Sequence, residues 1–265
     1  MRALITGKSG TVGTALATRL ERAGWEVVGW DRTKVGIDNY QAMEHHVRDV
    51  APDAFFHLAA ASQPTQPDRV AEEAWRVNYE WTSELAWITR QLGIRFVFTS
   101  TVMVFTEARP GPYTIACRPD SAHDYGKDKR EAERRAFKQN PEARVARLGW
   151  QIGEDLSGNQ MAAWFARHKK VRASARWLPA CSFLEDTADA LLRIAGARPG
   201  LYHVEGNEGW SFYDLACALR ERHSADWEIL PTVDRAYDQR LVDPRIAMPG
   251  LVERLPQLAK TDTLL

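Results

Sequence analysis

The sequence has little of what marks secreted or membrane-spanning proteins. It has only three cysteines, Cys117, Cys181 and Cys217, far apart and without CxxC or histidine spacing. Neither a disulfide framework nor a zinc site is therefore expected, and no other metal site is indicated. We expect buried thiols in a reducing compartment. The chain also lacks a charged-then-apolar leader and any apolar run of about 18 residues, so we expect a cytoplasmic protein that does not cross a membrane.

The sequence also has no excess of charge of either sign. Its 35 basic and 35 acidic residues cancel, so no overall field attracts nucleic acid or anionic lipid, and neither is expected as a partner. What it does have is length and apolar content: 265 residues, 45% of them hydrophobic. Such a chain can bury roughly three quarters of its unfolded surface, enough for a full α/β domain and a smaller second part.

The first seventeen residues carry the clearest pattern. An apolar run, Ala3 to Ile5, ends in a turn with glycines at 7, 10 and 13, and a helical apolar spacing follows. Glycines allow positive φ and let phosphates approach bare N–H groups, while a helix N-terminus adds partial positive charge. The spacing is GxxGxxG and not the usual GxGxxG, and its alternative reading is a flexible turn. The pattern favours a dinucleotide site at Gly7, Ser9, Gly10, Thr11, Val12 and Gly13.

An acidic residue follows the second predicted strand, Trp25 to Trp30. In a dinucleotide fold, an acid at the position of Asp31 accepts hydrogen bonds from the adenosine ribose and repels a 2′-phosphate, which favours NAD. The neighbouring Arg32 could instead bind that phosphate, so NADP stays open with NAD slightly favoured. The alternative for Asp31 is a solvated turn residue.

Strands and helices continue to alternate along the chain. Asp38 is expected to cap a helix over Tyr40 to Val50, and Ala54 to Leu58 reads as a buried strand. His57 is expected to be a packed core residue without a catalytic role. The small residues after it let a ligand lie close to the strand end, and the cofactor contacts expected there are Leu58, Ala59 and Ala60.

Further elements follow by the same criteria. We expect one long amphipathic helix, a fourth strand ending in hydroxyl residues, and then a Pro- and Gly-rich loop: Val70 to Leu92, Arg95 to Thr101, and Thr106 to Asp124. Later come a helix, a strand, and a helix capped by Ser211: Glu185 to Ile194, Leu201 to Val204, and Ser211 to Arg220. A basic run, His168 to Arg172, reads either as a substrate-diphosphate site or as a solvated helix end.

The clearest indication of catalytic chemistry comes from Tyr125 and Lys129. They are four residues apart in Tyr-Gly-Lys-Asp-Lys, at the start of a helix expected over Lys129 to Phe137, so both side chains lie on one helical face. A phenol with a pKa near ~10 needs a nearby cation to lower that pKa toward neutrality, and Lys129 would supply it. By itself YxxxK is common, but here it is joined to the glycine turn and to the hydroxyls that end the fourth strand.

These motifs together resemble the extended short-chain dehydrogenases/reductases, and within them the dTDP-4-dehydrorhamnose reductase group. The resemblance spans nearly the whole chain in the family's order and rests on Thr6 to Gly13, His57 to Ala61, Val77-Asn78, Ser100 to Phe105, Gly111 to Tyr113, Tyr125 to Lys129, Arg147 to Trp150, Glu185 to Ala190 and Gly200 to Val204.

The resemblance implies an α/β fold with a Rossmann-type doubly wound parallel sheet and a small C-terminal substrate-binding part. Residues 1–150 would form the dinucleotide domain, and 151–265 mainly the substrate part, partly returning to the Rossmann core. It implies a catalytic set of Thr101, Tyr125 and Lys129, with Tyr125 and Lys129 also at the cofactor, and with Asn78 helping to hold a proton-relay water.

Several segments depart from that group's pattern. The acid and aromatic expected after Thr101 are Val102 and Met103. The group's Asp-Gln-x-x-x-Pro-Thr segment aligns with Arg176 to Ser182, which lacks nearly all its polar features, and a late Arg-Pro segment has become Arg240 to Asp243. Gly36 stands where many relatives have an aspartate near the adenine. These changes argue against dTDP-rhamnose synthesis itself and leave the redox set intact.

The leading hypothesis is an NAD(P)-dependent oxidoreductase that reduces a keto group of a nucleotide-linked sugar or a similar polar carbonyl compound. The alternatives are a nucleotide-sugar epimerase with retained NAD, and a non-catalytic dinucleotide-binding regulatory protein. A dehydratase is disfavoured, because Val102 and Met103 replace the Asp-Glu pair that elimination needs. The sequence leaves a homodimer open.

Overall fold

The computed structural model describes residues 1–61, 67–155 and 160–260. Internal contacts divide the chain into two compact units. The first comprises Met1–Thr106, Arg118–Arg147 and Ala188–Tyr202, and the second comprises Glu107–Cys117, Leu148–Thr187 and His203–Leu265. In the described part of the chain, no helix has both the length and the apolar character needed to cross a membrane.

A six-stranded sheet forms the centre of the first unit. Its strands are β1 Arg2–Thr6, β2 Glu26–Gly29, β3 Ala54–His57, β4 Arg95–Thr101, β6 Arg144–Leu148 and β11 Gly200–Val204, with β5 Tyr113–Thr114 outside it. The spatial order is β11-β6-β4-β3-β1-β2, and the pairs from β2 through β4 are parallel. This order reverses direction between β1 and β3, as in a doubly wound fold, so the predicted fold class is confirmed.

Helices connect these strands. They are α1 Thr11–Arg22, α2 Tyr40–Val50, α3 Pro67–Trp75, a π-helical turn Arg76–Glu80, α4 Trp81–Gln91, a 3₁₀ turn Val102–Val104, α5 Asp124–Gln139 and, after α6 Gln160–His168 of the second unit, α7 Leu184–Gly196. Apolar residues of β1, β3 and β4 pack with those of α4 into a fully buried core that includes Leu4, Phe55, Phe96 and Leu85.

The predicted single helix from Val70 to Leu92 is wrong in one respect. The π-helical turn at Arg76–Glu80 interrupts it and places one extra residue in the turn that contains Asn78. The expected apolar stripe is otherwise correct, because Val77, Trp81, Leu85 and Ile88 are buried. The apolar spacing of this segment did not distinguish a helix with one extra residue in a π turn from a continuous α-helix.

Three smaller predictions are also corrected. Asn39, and not Asp38, caps α2, since the Asn39 Oδ1 accepts from the Ala42 N–H at 3.0 Å. The helix of Tyr125 begins at Asp124, so Tyr125 and Lys129 lie on one continuous helix. Among the cysteines only Cys181 is buried, while Cys117 and Cys217 are partly exposed.

The second unit is built from short paired strands and from helices that include α6. The strands are β7 Trp150–Ile152, β8 Lys170–Ser174, β9 Trp177–Leu178, β10 Cys181–Phe183, β12 Glu228–Thr232, β13 Tyr237–Asp238 and β14 Leu241–Val242, and the later helices are α8 Phe212–Arg222 and α9 Leu251–Arg254, followed by a 3₁₀ turn Pro256–Lys260. The predicted Ser211 cap of α8 is confirmed, with Asp214 completing a reciprocal capping box.

The glycine turn depends on close approach of backbone to backbone. Gly7 adopts φ +70°, and a Cβ on Gly13 would lie 2.0 Å from the Gly7 carbonyl oxygen. Gly13 therefore lets α1 pack directly on the turn that precedes it. Its first role is in packing the helix on the turn, which determines where the α1 N-terminus points.

We expect Gly13→Ala to lower the free energy of unfolding by about 1–3 kcal/mol, because the added methyl forces α1 away from Gly7. Gly196→Ala is the matched control, since a Cβ on this helical glycine meets nothing within 4 Å. Urea unfolding of both variants measures the difference. Equal stability of the Gly13 variant and the native protein would contradict the packing argument.

Candidate active site

A cavity of about 920 Å³ lies at the glycine turn, and we call it the glycine-turn cavity. Eight of the predicted cofactor residues line it: Gly7, Ser9, Gly10, Asp31, Arg32, Leu58, Ala59 and Ala60. Sequence reasoning missed several others, including Lys8, Thr14, Thr18, Trp30 and Thr33. The other three residues predicted at the glycine turn, Thr11, Val12 and Gly13, form the first turn of α1 and do not line the cavity.

The residues at the start of α1 fit an anionic ligand. Gly10 is the N-cap residue, no side chain caps the helix, and no acid stands in its first turn. The first-turn N–H groups are therefore not occupied by a capping side chain, and no carboxylate opposes an anion there. With the Gly7–Gly13 close approach, this arrangement fits the pyrophosphate of a dinucleotide.

Asp31 lines the cavity but also holds its own turn. Its Oδ1 accepts from the Thr33 backbone N–H at 2.9 Å and the Thr33 hydroxyl at 2.7 Å. These bonds, with a smaller contribution from Lys34, hold the pKa of the Asp31 carboxyl below its ordinary value. Asp31 is therefore a charged acid at neutral pH, and its Oδ2 lies 3.9 Å from the Lys34 Nζ.

Leu58 and Ala59 line the glycine-turn cavity. Their backbone N–H groups both donate to the Thr6 Oγ1, at 3.1 and 3.2 Å. A Cβ on Gly7 would lie 2.9 Å from the Ala59 nitrogen, so the end of β3 packs tightly on the glycine turn. These residues can therefore shape the cavity, but their amide protons are already used.

Lys129 is the most unusual ionisable group of the first unit. Its side chain is 1% exposed, and its Nζ lies 4.1 Å from the centre of the Phe98 ring. Desolvation lowers the pKa of Lys129 to about 7, against the opposing effects of Glu133 and Asp128. Glu133 is itself buried and accepts two hydrogen bonds from Arg147, at 2.8 and 2.6 Å. The amine therefore titrates near neutrality in a nearly dry setting.

Tyr125 lies one turn before Lys129 on α5. Desolvation raises the pKa of Tyr125 to about 12. The expectation that Lys129 lowers this pKa is not met in the protein alone, because the Lys129 ammonium lies over Phe98 and burial of the phenol dominates. At neutral pH Tyr125 is a protonated phenol and therefore a proton donor.

Gly126 brings the start of α5 against the end of β4. A Cβ on Gly126 would lie 2.1 Å from the Met103 carbonyl oxygen and 2.3 Å from the Ser121 hydroxyl. Thr101 ends β4, and its Oγ1 accepts from the Met103 N–H at 3.2 Å. Because Tyr125 precedes Gly126 and Thr101 begins the turn of Met103, this contact brings the two predicted catalytic segments together.

Asn78 is fully buried and held at both ends of its amide. Its Oδ1 accepts from the Ala61 N–H at 2.9 Å, and its Nδ2 donates to the Ala61 carbonyl at 3.1 Å. A further bond joins its side chain to Asp128, which sequence reasoning missed although it lies between Tyr125 and Lys129. Burial, the largest effect, raises the pKa of Asp128. Asn78 therefore links the chain after β3 to the helix of Tyr125 and Lys129.

Comparison with known proteins shows which family the chain belongs to. A model described as the RmlD substrate binding domain matches residues 1–248. The chain belongs to the RmlD substrate binding domain family. The resemblance to the dTDP-4-dehydrorhamnose reductase group and to extended short-chain dehydrogenases/reductases is thereby confirmed.

Individual relatives of this RmlD-family chain are distant. The spore coat polysaccharide biosynthesis protein SpsK of Bacillus subtilis is 24% identical, over 92% of this chain and 87% of SpsK. Methionine adenosyltransferase 2 subunit beta of Xenopus laevis is 27% identical, over 96% and 84%. The crystal structure of dTDP-4-dehydrorhamnose reductase from Bacillus anthracis in complex with NADP has a TM-score of 0.83 at 20% identity, covering 98% of each chain, which shows a shared fold.

The basic run of this RmlD-family chain is neutralised in the second unit. Lys169, Lys170 and Arg172 pair with Asp226, Glu228 and Asp234, at 3.1, 3.0 and 3.0 Å. Lys170 and Arg172 belong to β8, so the prediction of a helix end is wrong for them. The three ion pairs are exposed to solvent and join β8 and the residue before it to residues at or near β12. Among the described residues, no three His, Cys, Asp or Glu side chains come together in a metal-binding group.

The depressed pKa of Lys129 has a consequence for stability. Below about pH 7 the buried amine is charged in the folded protein and its desolvation cost is present in full. As the pH rises from about 7 toward the ordinary value of 10.5, the folded amine is neutral and that cost disappears. We therefore expect Lys129→Met to be more stable than the native protein below pH 7, with an advantage that shrinks at alkaline pH.

Urea unfolding at several pH values measures this difference, and Lys138→Met, an exposed lysine of the same helix, is the control. The charges near Lys129 are Glu133 and Asp128 of α5, and His57 of β3 adds none, since burial lowers its pKa well below the ordinary value. A pH-independent difference between Lys129→Met and the native protein would show that Lys129 is not a desolvated cation.

Proposed function

We propose that this protein is an NAD(P)-dependent reductase of a keto group, acting on a nucleotide-linked sugar or a similar polar carbonyl compound. The observation that carries the proposal is the joining of Tyr125 and Lys129 on α5 to the end of β4 through the close approach at Gly126. A protonated phenol and a buried amine of near-neutral pKa form a proton-donating pair, for which a purely structural role has no need.

Each residue would have a distinct part. Tyr125 would donate its proton to the carbonyl oxygen, while the Thr101 hydroxyl would donate a hydrogen bond to the same oxygen. Lys129 would hold the nicotinamide ribose, and Asn78 would help hold a relay water beside it. A bound nicotinamide dinucleotide would supply the hydride, with its pyrophosphate held by the glycine turn and the α1 N-terminus.

A cavity in the second unit supports a nucleotide-linked substrate. It measures about 530 Å³ and we call it the aromatic cavity; its lining includes Trp150, Trp164, Trp177, Phe212, Arg172 and Arg235. The Arg235 guanidinium lies 4.4 Å from the Trp177 ring centre, and Trp164 is 41% exposed. Flat aromatic walls suit a base, while Arg172 is paired with Asp234, which also lines the cavity, and Arg235 is paired with Glu107. We propose that residues 151–265 mainly bind substrate, with a partial return to the Rossmann core.

The relatives' names agree with this class of chemistry and add one alternative. SpsK is named for polysaccharide biosynthesis, and the Bacillus anthracis protein is a dTDP-4-dehydrorhamnose reductase. The similarity to a methionine adenosyltransferase subunit favours the second candidate, a dinucleotide-binding regulatory protein without turnover. An epimerase would be recognised by NAD that copurifies with the chain. A cytoplasmic location and a homodimer remain part of the proposal.

For the cofactor, we propose a slight preference for NAD over NADP, which rests on the charged Asp31. In Asp31→Asn, the amide oxygen can still accept the Thr33 bonds, but the charge that repels a 2′-phosphate is gone. We expect NADPH affinity to rise about fivefold relative to NADH, since a like-charge contact near 4 Å in water is worth roughly 1 kcal/mol.

Fluorescence titration with both nucleotides measures this ratio. Asp38→Asn, which removes an exposed carboxylate outside the glycine-turn cavity, should leave the ratio unchanged. Tighter binding of NADPH than of NADH by the native protein would contradict the preference itself.

The reductase proposal is tested with Tyr125→Phe, which removes one hydroxyl and little volume. We expect the variant to bind NAD(P)H with native affinity while the catalytic constant falls by about 10²–10⁴-fold, the usual contribution of general acid catalysis. The assay follows NAD(P)H oxidation with dTDP- and UDP-linked 4-keto-6-deoxyhexoses. Native turnover by the variant would refute the proton-donor role, and lack of turnover by the native chain would favour the regulatory candidate.

A further inference from the structure

His57 lies in a row of buried side chains across three strands. The sheet register places Thr6 opposite His57 and His57 opposite Phe98. The imidazole is fully buried, with its Nδ1 2.7 Å from the Thr6 Oγ1 and its Nε2 3.0 Å from the Thr82 Oγ1. It therefore touches the segment before the glycine turn on one side and the start of α4 on the other.

The hydrogen bonds around His57 have one consistent direction. The Thr82 hydroxyl lies 2.8 Å from the Asn78 carbonyl oxygen, which only accepts, so Thr82 donates to it. The Thr82 oxygen then accepts from His57, and the imidazole proton is on Nε2. Nδ1 must in turn accept from the Thr6 hydroxyl, whose oxygen already accepts from the Leu58 and Ala59 amides.

A charged imidazole does not fit this chain of bonds. It would need Nδ1 to donate, but both lone pairs of the Thr6 oxygen are used by backbone amides. The ring also stacks on Phe98, at 5.7 Å between centres and 21° between planes, and Phe98 carries the Lys129 ammonium at 4.1 Å. A neutral ring is thus required by its hydrogen-bonding partners and by the cation beyond Phe98.

The series of hydrogen bonds from Thr6 through His57 and Thr82 ends at Asn78, in the π turn. Thr82 holds its main-chain carbonyl, while Ala61 and Asp128 hold its side chain. This main-chain carbonyl belongs to the π turn Arg76–Glu80, in which the backbone hydrogen bonds depart from the regular helical pattern. The hydroxyl of Thr82, itself oriented by His57, closes that position.

We propose that His57 is a positioning residue for the reductase reaction: as a neutral imidazole protonated on Nε2, it orients the Thr82 hydroxyl that holds Asn78 at the π turn, and it supports Phe98 beneath Lys129. The inference rests on the proposed function, because the consequence of misplaced Asn78 and Lys129 is a slower reaction. His57 touches neither cofactor nor substrate in this role and acts through Thr82 and Phe98.

The test removes and restores the hydroxyl that His57 orients. In Thr82→Val the shape is kept, but the bond to the Asn78 carbonyl and the acceptor for His57 are lost. We expect the catalytic constant to fall on the order of 10–100-fold, with the KM and the NADPH affinity within twofold of native, since misplacement of catalytic groups acts on the reacting geometry. Thr82→Ser keeps the hydroxyl and should retain at least about half of the native catalytic constant.

Thr89→Val is the matched control for stability. Thr89 is a fully buried threonine of the same helix, whose hydroxyl donates to the Leu85 carbonyl at 2.7 Å and accepts from the Asn140 Nδ2 at 3.3 Å. Its replacement should lower the melting temperature as much as Thr82→Val does but leave the catalytic constant native. Equal catalytic constants in Thr82→Val and Thr89→Val would overturn the positioning role, as would a Thr82→Ser enzyme as slow as Thr82→Val.

Nitrogen NMR of the imidazole gives a readout independent of turnover. We expect His57 to stay neutral and protonated on Nε2 down to pH 5 in the native chain, and to change its signals in Thr82→Val but not in Thr89→Val. A His57 ring that is charged at pH 6, or protonated on Nδ1, would overturn the inference. If the native chain and all three variants oxidise neither NADH nor NADPH with the keto sugars while the NMR result holds, the proposed function is contradicted but the hydrogen-bonded arrangement of His57 is not.

Discussion

The burial of one cation, the Lys129 ammonium, constrains much of the first unit. Moving an amine out of water is costly, and the protein offsets that cost with the Phe98 ring face and the carboxylates of Glu133 and Asp128. Glu133 would itself be a costly buried charge without the two bonds from Arg147 on β6. One amine on α5 thus depends on side chains of β4 and β6, which ties the helix to the sheet at a defined position.

The same region holds several buried polar side chains in a single ordered chain of bonds. Thr6, His57 and Thr82 connect the amides after β3 to the Asn78 carbonyl, and the amide of Asn78 binds Ala61. A network in which every donor has an acceptor favours one arrangement, because each alternative leaves a buried group without a partner. These bonds favour one arrangement of Asn78, and the proposed proton transfer would need its groups held at a defined position.

Two of the segments that depart from the pattern of the dTDP-4-dehydrorhamnose reductase group, Arg176 to Ser182 and Arg240 to Asp243, lie in the second unit. Its charged residues on β8 are paired across to acids, and Trp177 lines the aromatic cavity in the segment where the dTDP-4-dehydrorhamnose reductase group has polar residues. Such a surface recognises a ligand by stacking and shape more than by charge. Under the proposed function, a retained proton-donating set beside altered substrate contacts would correspond to a change of substrate within one reaction class.

Local patterns were enough to predict many elements of the chain. The strand Arg95–Thr101, the helix Tyr40–Val50 and the Ser211 cap follow from short-range apolar spacing and capping chemistry, and all three are observed. The Gly7–Gly13 spacing and the Tyr125–Lys129 pair likewise identify the family and the candidate site from residues close together in the chain. These features depend on the backbone's own geometry, which a few neighbouring residues determine.

Only the tertiary structure decided the properties that depend on residues far apart. The π turn at Asn78, the pKa of Lys129 near neutrality and the hydrogen-bond partners of His57 have no local signal, because they depend on Phe98, Thr6 and other residues that the fold brings together. The sequence by itself determined which groups are present and at what spacing. Folding decided which of them lose water and which partners they meet, since desolvation and hydrogen bonding act through space and not along the chain.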